Sequence, residues 1–175
     1  MDLYVKKMDP QDATLAWKFN VCPNSCDNPS HYENYLRLNA ISENASGKSV
    51  THILLDCNSD RIAGFVSLRA SSLVDVCDGV SFGTPVMEIA ELAVDQEYEH
   101  CGIGTKLVQL ALVLAEKLNE SFMGIRYVML CADPRAVNFY SRNDLGFGRV
   151  KDHYNVPRDG WNKNCIPMYL KIAKD

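Results

Sequence analysis

The run Glu88-Ile-Ala-Glu91-Leu-Ala-Val-Asp95-Gln-Glu-Tyr-Glu99-His-Cys-Gly102-Ile-Gly104-Thr-Lys-Leu-Val108 decides the fold. It reads as an apolar strand, Val86 to Val94, that enters a tight glycine turn and emerges as a long helix over Ile103 to Leu118. Leu107, Leu110, Ala111, Leu114 and Leu118 recur there at helical spacing. A turn at the head of such a helix leaves successive backbone N–H groups, here those of Cys101 to Thr105, without carbonyl partners, and the helix dipole adds partial positive charge. A pyrophosphate suits that place, and glycine keeps side chains out of its approach. Taken alone, Gly-x-Gly before a helix also suits a plain tight turn. It fits neither the six-position dinucleotide fingerprint nor the Walker pattern, because no Gly-Lys-Ser/Thr follows.

Working outward, the chain alternates strands and helices with no repeat or low-complexity tract to divide it. Leu3 to Lys7 reads as a strand, and Asp9-Pro10 starts a helix over Ala13 to Phe19. Val21 to Ser30 reads as a loop. Pro29-Ser30 opens a second helix, with Tyr32, Tyr35, Leu36, Leu38 and Ala40 on one broad apolar face and Gly47 as its stop. Thr51 to Cys57 and Ile62 to Leu68 form a hairpin around Asn58-Ser-Asp-Arg61, and Ser71 to Pro85 reads as a loop. Downstream come a buried strand at Tyr127 to Cys131, a helix at Pro134 to Arg142, and closing strands at Phe147 to Lys151 and Ile166 to Ile172. The expected class is α/β (α+β): a mixed, mainly antiparallel twisted sheet of six to seven strands with helices on both faces.

A length of 175 residues with 47% hydrophobic content supports one core, so 1–175 is expected to be a single domain. No apolar stretch is long enough to span a bilayer, and the first residues lack the apolar segment of a secretory signal, so a cytoplasmic protein is expected. Seven scattered cysteines, mostly in apolar runs, read as reduced thiols that pack as small hydrophobes. Cys22 and Cys26, near His31, have ligand-like spacing, but no second pair completes a four-ligand zinc site, and no metal is expected. The net charge of -4 is uneven: residues 135–175 carry 8 basic and 4 acidic side chains, which suits either a solvated face or a polyanion such as coenzyme A or RNA.

The stretch from the strand to the long helix resembles the acetyl-CoA signature of the GNAT superfamily of N-acetyltransferases, in which Leu-Ala-Val-Asp leads to Gln/Arg-x-x-Gly-x-Gly/Ala and a helix. Downstream, Asp133-Pro-Arg-Ala136-Val-Asn138-Phe139-Tyr140 followed by Gly146-Phe147 resembles the family's Asn-x-x-Ala-x-x-Phe-Tyr and closing Gly-Phe. The resemblance covers Thr51 to Lys151 well and the ends loosely. Glu99 stands where the family has Gln or Arg, Asp133 replaces Asn, and two extra residues separate Tyr140 from Gly146.

The resemblance implies an acetyltransferase with acetyl-CoA as co-substrate. Leu92, Ala93 and Val94 would pair with pantetheine as the strand splays from Tyr127 to Cys131, and the Val94 N–H would meet the oxyanion. Glu99, His100, Cys101, Gly102, Ile103, Gly104, Thr105 and Lys106 would surround the diphosphate, with Asp133, Ala136, Asn138, Phe139 and Tyr140 completing the coenzyme site. A protonated amine needs a base before it can attack. Glu88 stands where some family members carry that glutamate. Glu91, on the opposite face by strand alternation unless a bulge intervenes, is the second candidate. Tyr140 matches the family's proton donor to the departing thiolate.

The acceptor is expected to be an amine, on a small molecule or on a protein N-terminus or lysine. Cys26-Asp-Asn-Pro29-Ser-His-Tyr-Glu-Asn-Tyr-Leu36 resembles a segment of toxin-antitoxin GNATs, which acetylate aminoacyl-tRNA, so tRNA and an antitoxin are alternative partners. The overall acidity and the strand glutamates speak for the general reading. A degenerate, non-catalytic acyl-CoA-binding module is a third reading, motivated by Glu99 and Asp133. A homodimer is compatible with the sequence, which fixes no oligomeric state.

Overall fold

The computed structural model describes residues 2–151, 154–155 and 164–172. Strands β1 (Leu3–Lys7), β2 (Val50–Asp56), β3 (Arg61–Cys77), β4 (Val80–Val94), β5 (Tyr127–Ala132), β6 (Gly148–Arg149), β7 (Tyr154–Asn155) and β8 (Ile166–Lys171) lie in one sheet. Its order is β1-β2-β3-β4-β5-β8-β6, with β7 on β3. The helices are α1 (Ala13–Ala16), α2 (Pro29–Asn34), α3 (Ala40–Ser46), α4 (Ile103–Ser121) and α5 (Val137–Tyr140). The mixed α/β class and the mainly antiparallel sheet agree with expectation. No helix among the described residues is long and apolar enough to cross a membrane.

The chain falls into two compact units, Met1–Arg69 with Ala90–Gln109, and Ala70–Ile89 with Leu110–Asp175. In the first, β1 and β2 run antiparallel from Leu3–Asp56 to Lys7–His52, and β2 pairs with the first half of β3. Phe19, Tyr35, Leu36, Ala40, Ile53, Phe65 and Ala93 share one core cluster, so the N-terminal helices cover one face. The adjacent β3 residue, Gly64, points the other way, toward Ile103 and Leu107 of α4, as strand alternation requires.

The N-terminal helices are set by caps. Asp9 and Asp12 form a capping box over a 3-10 turn at Pro10–Asp12, and α1 then ends at Ala16, short of the expected Phe19. Asn28 caps α2, and a π turn at Tyr35–Asn39 separates α2 from α3 before Gly47 ends the run in the left-handed region at φ 73°. Leu38 is exposed, contrary to the expected apolar face. Two positions beyond buried Leu36 within that π turn, it falls on the far side of the helix, outside the narrower stripe that is buried.

In the second unit, β5 runs parallel to β4 from Val86–Tyr127 to Ile89–Leu130 and antiparallel to β8 from Tyr127–Lys171 to Ala132–Ile166. Leu73, Val86, Tyr127 and Met129 form its cluster, with Val150, Tyr154 and Tyr169 against them. The expected loop at Ser71 to Pro85 is instead strand: β3 and β4 continue to a tight turn at Asp78-Gly79, both with positive φ. Asp-Gly is a strong hairpin signal, and Val74-Asp75-Val76 and Val80-Ser81-Phe82 alternate on either side of it, so the strand signal is in the sequence and the Ser and Gly residues around it give the stretch its loop-like look. Cys131 and Cys165 are joined by a disulfide, Cα atoms 5.3 Å apart, which corrects the expectation of reduced thiols at these two positions. They meet because the β5–β8 register sets Ala132 opposite Ile166. Arg158, Lys163 and Lys174, part of the basic C-terminal excess, lie outside the described residues.

Candidate active site

The glycine turn is fixed from behind by Asp95, which is fully buried at the exit of β4. Its carboxylate accepts the N–H of Asn20 at 2.9 Å and of Glu97 at 3.0 Å and lies 3.5 Å from Arg61, while its own N–H reaches Ala63 O at 3.0 Å. Tyr98 follows in a 3-10 turn, its hydroxyl 2.7 Å from Ser59 Oγ and donating to Asp56 at 3.1 Å. The chain then turns through His100 and Gly102, with φ of 60° and 77°. Asp95 belongs to the quoted signature, yet its anchoring role was not anticipated. The signal was there: an Asp just before Gln-Glu-Tyr is a cap.

The donor set at the turn is narrower than the expected Cys101 to Thr105. The Cys101 N–H closes onto Tyr98 O at 3.3 Å, so it is spent inside the turn. The Lys106 N–H bonds to Gly102 O at 3.1 Å, and the N–H groups of Gly102, Ile103 and Gly104 stand ahead of it at the head of α4. Gly102 is exposed, and a Cβ there would meet nothing within 4 Å, which leaves the approach to these donors open. This arrangement fits a diphosphate. Lys106 is exposed beside it. Glu99 is half-buried and accepts a hydrogen bond from the Ser25 hydroxyl, a contact no local pattern announces.

Gly102→Ala tests that reading. The positive φ costs about 1–2 kcal/mol in an L-residue. The methyl group also stands in the anion's approach, so coenzyme A affinity measured by calorimetry is expected to fall about tenfold, or about 1.4 kcal/mol.

On β4, Leu92 and Val94 are half-buried and Ala93 is in the core, and the strand runs on through Val94 although its register with β5 ends at Ile89–Leu130. Glu91 shares the Ala93 face by alternation and is buried. Its Oε1 lies 2.9 Å from Nε2 of His31, in the first turn of α2. The sequence reading named both residues but had no reason to join them, because they stand 60 positions apart. Glu88, in the second unit, is also buried, opposite Met129 of β5.

Also in the second unit, Asp133 is buried and its carboxylate accepts the Arg135 N–H at 2.9 Å. A cap needs only an acceptor oxygen, which Asp supplies as well as the family's Asn. Ala136 and Phe139 are half-buried and Asn138 is exposed. Tyr140 is buried, edge-on to Phe139 at 4.9 Å and to Phe147 at 5.9 Å. Burial, and then the nearby Asp133 charge, push its phenol well above the usual range, so it holds its proton at neutral pH. The two extra residues are taken up in a turn closed on Arg142 O by the N–H of Leu145 and Gly146. Phe147 N–H returns to Tyr140 O at 3.1 Å.

Residues 14–147 match the acetyltransferase (GNAT) family. Among solved structures, AtaTR bound with AcCoA is similar at 20% identity over 97% of this chain and 93% of that one, with a TM-score of 0.67. A mutant of KacT gives 14% identity over 98% and 95%, TM-score 0.74. AtaT complexed with acetyl-methionyl-tRNAfMet gives 18% over 95% and 94%, TM-score 0.68. These likenesses are of fold. No curated protein matches the sequence.

Proposed function

The chain belongs to the acetyltransferase (GNAT) family, and from that premise we propose that it transfers the acetyl group of acetyl-CoA to a primary amine. The observation that carries this reading is the passage from β4 through an open glycine turn into the 19-residue helix α4, with the N–H groups of Gly102, Ile103 and Gly104 at its head. Acetyl-CoA supplies the acetyl group as an activated thioester. Gly102 to Thr105 hold its diphosphate, and Leu92 to Val94 offer β4 backbone to pantetheine as an added strand does. The Val94 N–H is the donor to the developing oxyanion. A coenzyme A donor also supports a cytoplasmic setting.

Two side chains govern the proton transfers. The Glu91 carboxylate supplies the negative charge that draws a proton from the ammonium. We choose it over Glu88 because it is joined to an imidazole. Tyr140, held protonated by burial, donates to the departing sulfur. Tyr140→Phe is expected to lower kcat about tenfold, the modest size reflecting a thiolate that can depart before it is fully protonated. Coenzyme A release under saturating acetyl-CoA measures it.

The direct test is a panel of spermidine, glycinamide, a peptide with a free N-terminus and a lysine, and methionyl-tRNA, each with acetyl-CoA and with coenzyme A release as readout. Binding of acetyl-CoA without turnover on any member would leave the non-catalytic reading. Failure to bind coenzyme A at all would remove the proposal.

A second reading, acetylation of aminoacyl-tRNA, is favoured by likeness along nearly the whole chain to AtaT and KacT structures, one holding acetyl-methionyl-tRNAfMet. The α2 segment around Asn28-Pro29 adds to it, and an antitoxin partner goes with it. An overall charge of -4 opposes tRNA binding, which relies on phosphate neutralisation. Methionyl-tRNA left with a free amine after incubation would discard this reading.

A further inference from the structure

His31 and Glu91 make a polarised pair. The Glu91 side chain is 7% exposed and the His31 side chain 20%, with 2.9 Å between Oε1 and Nε2. The carboxylate is inside, on β4 directly ahead of the Leu92–Val94 backbone, and the imidazole is the member nearer solvent. Tyr32 stands edge-on to the ring at 5.3 Å.

The place of His31 is fixed from several sides. Its N–H is directed at Asn28, the cap of α2, with Oδ1 at 3.3 Å and O at 3.2 Å. Glu33, two residues on, accepts the Val21 N–H at 3.0 Å, and Arg37 donates to Phe19 O at 2.6 Å. These contacts tie α2 to the loop before it, so the imidazole is delivered to Glu91 by a braced segment. That bracing is what a proton-transfer group requires and what an ordinary surface histidine lacks.

We propose that His31 is the atom-level proton acceptor of the reaction, with Glu91 as its positioning carboxylate. This rests on the acetyltransferase reading above. With Nε2–H donated to Glu91, the neutral ring carries its lone pair at Nδ1. Nδ1 takes one proton from the acceptor ammonium. The freed amine lone pair forms the C–N bond to the acetyl carbon, the C–S bond breaks, and sulfur keeps that electron pair and gains a proton. The second ammonium-derived proton leaves the nitrogen as the amide forms, so amine cation and thioester give amide, free thiol and one proton to solvent. Proton uptake turns the pair into imidazolium and carboxylate, and Glu91 stabilises the charge where it appears.

The experiment is chemical rescue of His31→Ala on whichever panel amine the wild type acetylates. Expected are a loss of about 10²-fold in kcat/KM, unchanged affinity for acetyl-CoA, and partial recovery that rises with added imidazole. His31→Gln, which keeps a hydrogen-bonding side chain, is expected to melt like the wild type and to be as inactive as the alanine variant. Wild-type rates in either variant overturn the proposal, as does a lost rate that imidazole leaves unmoved. A wild type that turns over no amine overturns the acetyltransferase reading itself, and the pair falls with it. An active wild type with an indifferent His31 sinks the pair alone.

Discussion

Glu91→Gln is expected to lower kcat/KM by about 10²- to 10³-fold while acetyl-CoA binds as before. Glutamine has the same size and keeps an oxygen for the His31 Nε2–H, so the 2.9 Å contact survives in neutral form. What disappears is the charge that favours proton uptake. Unfolding does not account for such a loss: a buried carboxylate is expensive to desolvate, and its neutral isostere is expected to leave the melting temperature unchanged or raised. Steady-state coenzyme A release, calorimetry and a thermal melt separate the three quantities. If Glu88→Gln abolishes turnover and Glu91→Gln leaves it intact, the role passes to Glu88.

Gly64→Val is expected to cost about 3 kcal/mol of stability, a large share of the total for a protein of this size. A Cβ on Gly64 would lie 2.8 Å from Ile103 Cγ2, 2.9 Å from Leu107 Cδ1 and 3.0 Å from the Ala93 carbonyl oxygen. The first two are side-chain ends in a packed core, both 1% exposed, and the third is backbone of β4. Relief therefore requires the head of α4 to retreat from β3 or β4 to shift. Either movement disturbs the donors at Gly102 to Gly104, so coenzyme A affinity is expected to fall together with stability. Denaturant unfolding and calorimetry read the two effects. A variant with wild-type stability and affinity would show that α4 is not held in place by this contact.

The two effects differ in how visible their causes are in the sequence. The glycine turn was legible because its determinants are local: an apolar strand, two glycines, and apolar residues repeating at helical spacing within a short window. The limits of β1 were legible for the same reason. Leu38 is misplaced by a stripe drawn without following the angle of each position, and the Ser71 to Pro85 strands are missed because Ser and Gly residues outweigh the alternation of Val74, Val76, Val80 and Phe82 around Asp78-Gly79. Pairings between distant residues were invisible. Nothing near His31 indicates Glu91, and nothing near Cys131 indicates Cys165. Such contacts are made by sheet order and strand register, which the sequence encodes only through the whole set of packing choices. The glycine turn and the helix behind it are therefore readable, while the arrangement that gives Glu91 a partner becomes visible only in three dimensions.

The bond between Cys131 and Cys165 makes a covalent ring of the intervening chain, with a sequence separation of 34. By the chain-entropy estimate a loop of this size removes about 3.8 kcal/mol of freedom from the unfolded state. Asp133, Tyr140 and Phe147 all ride on that ring, whereas His31, Glu91 and the glycine turn do not. A denatured molecule thus keeps the phenol and its aromatic neighbours tethered near one another, while the imidazole and its carboxylate must find each other anew at every refolding.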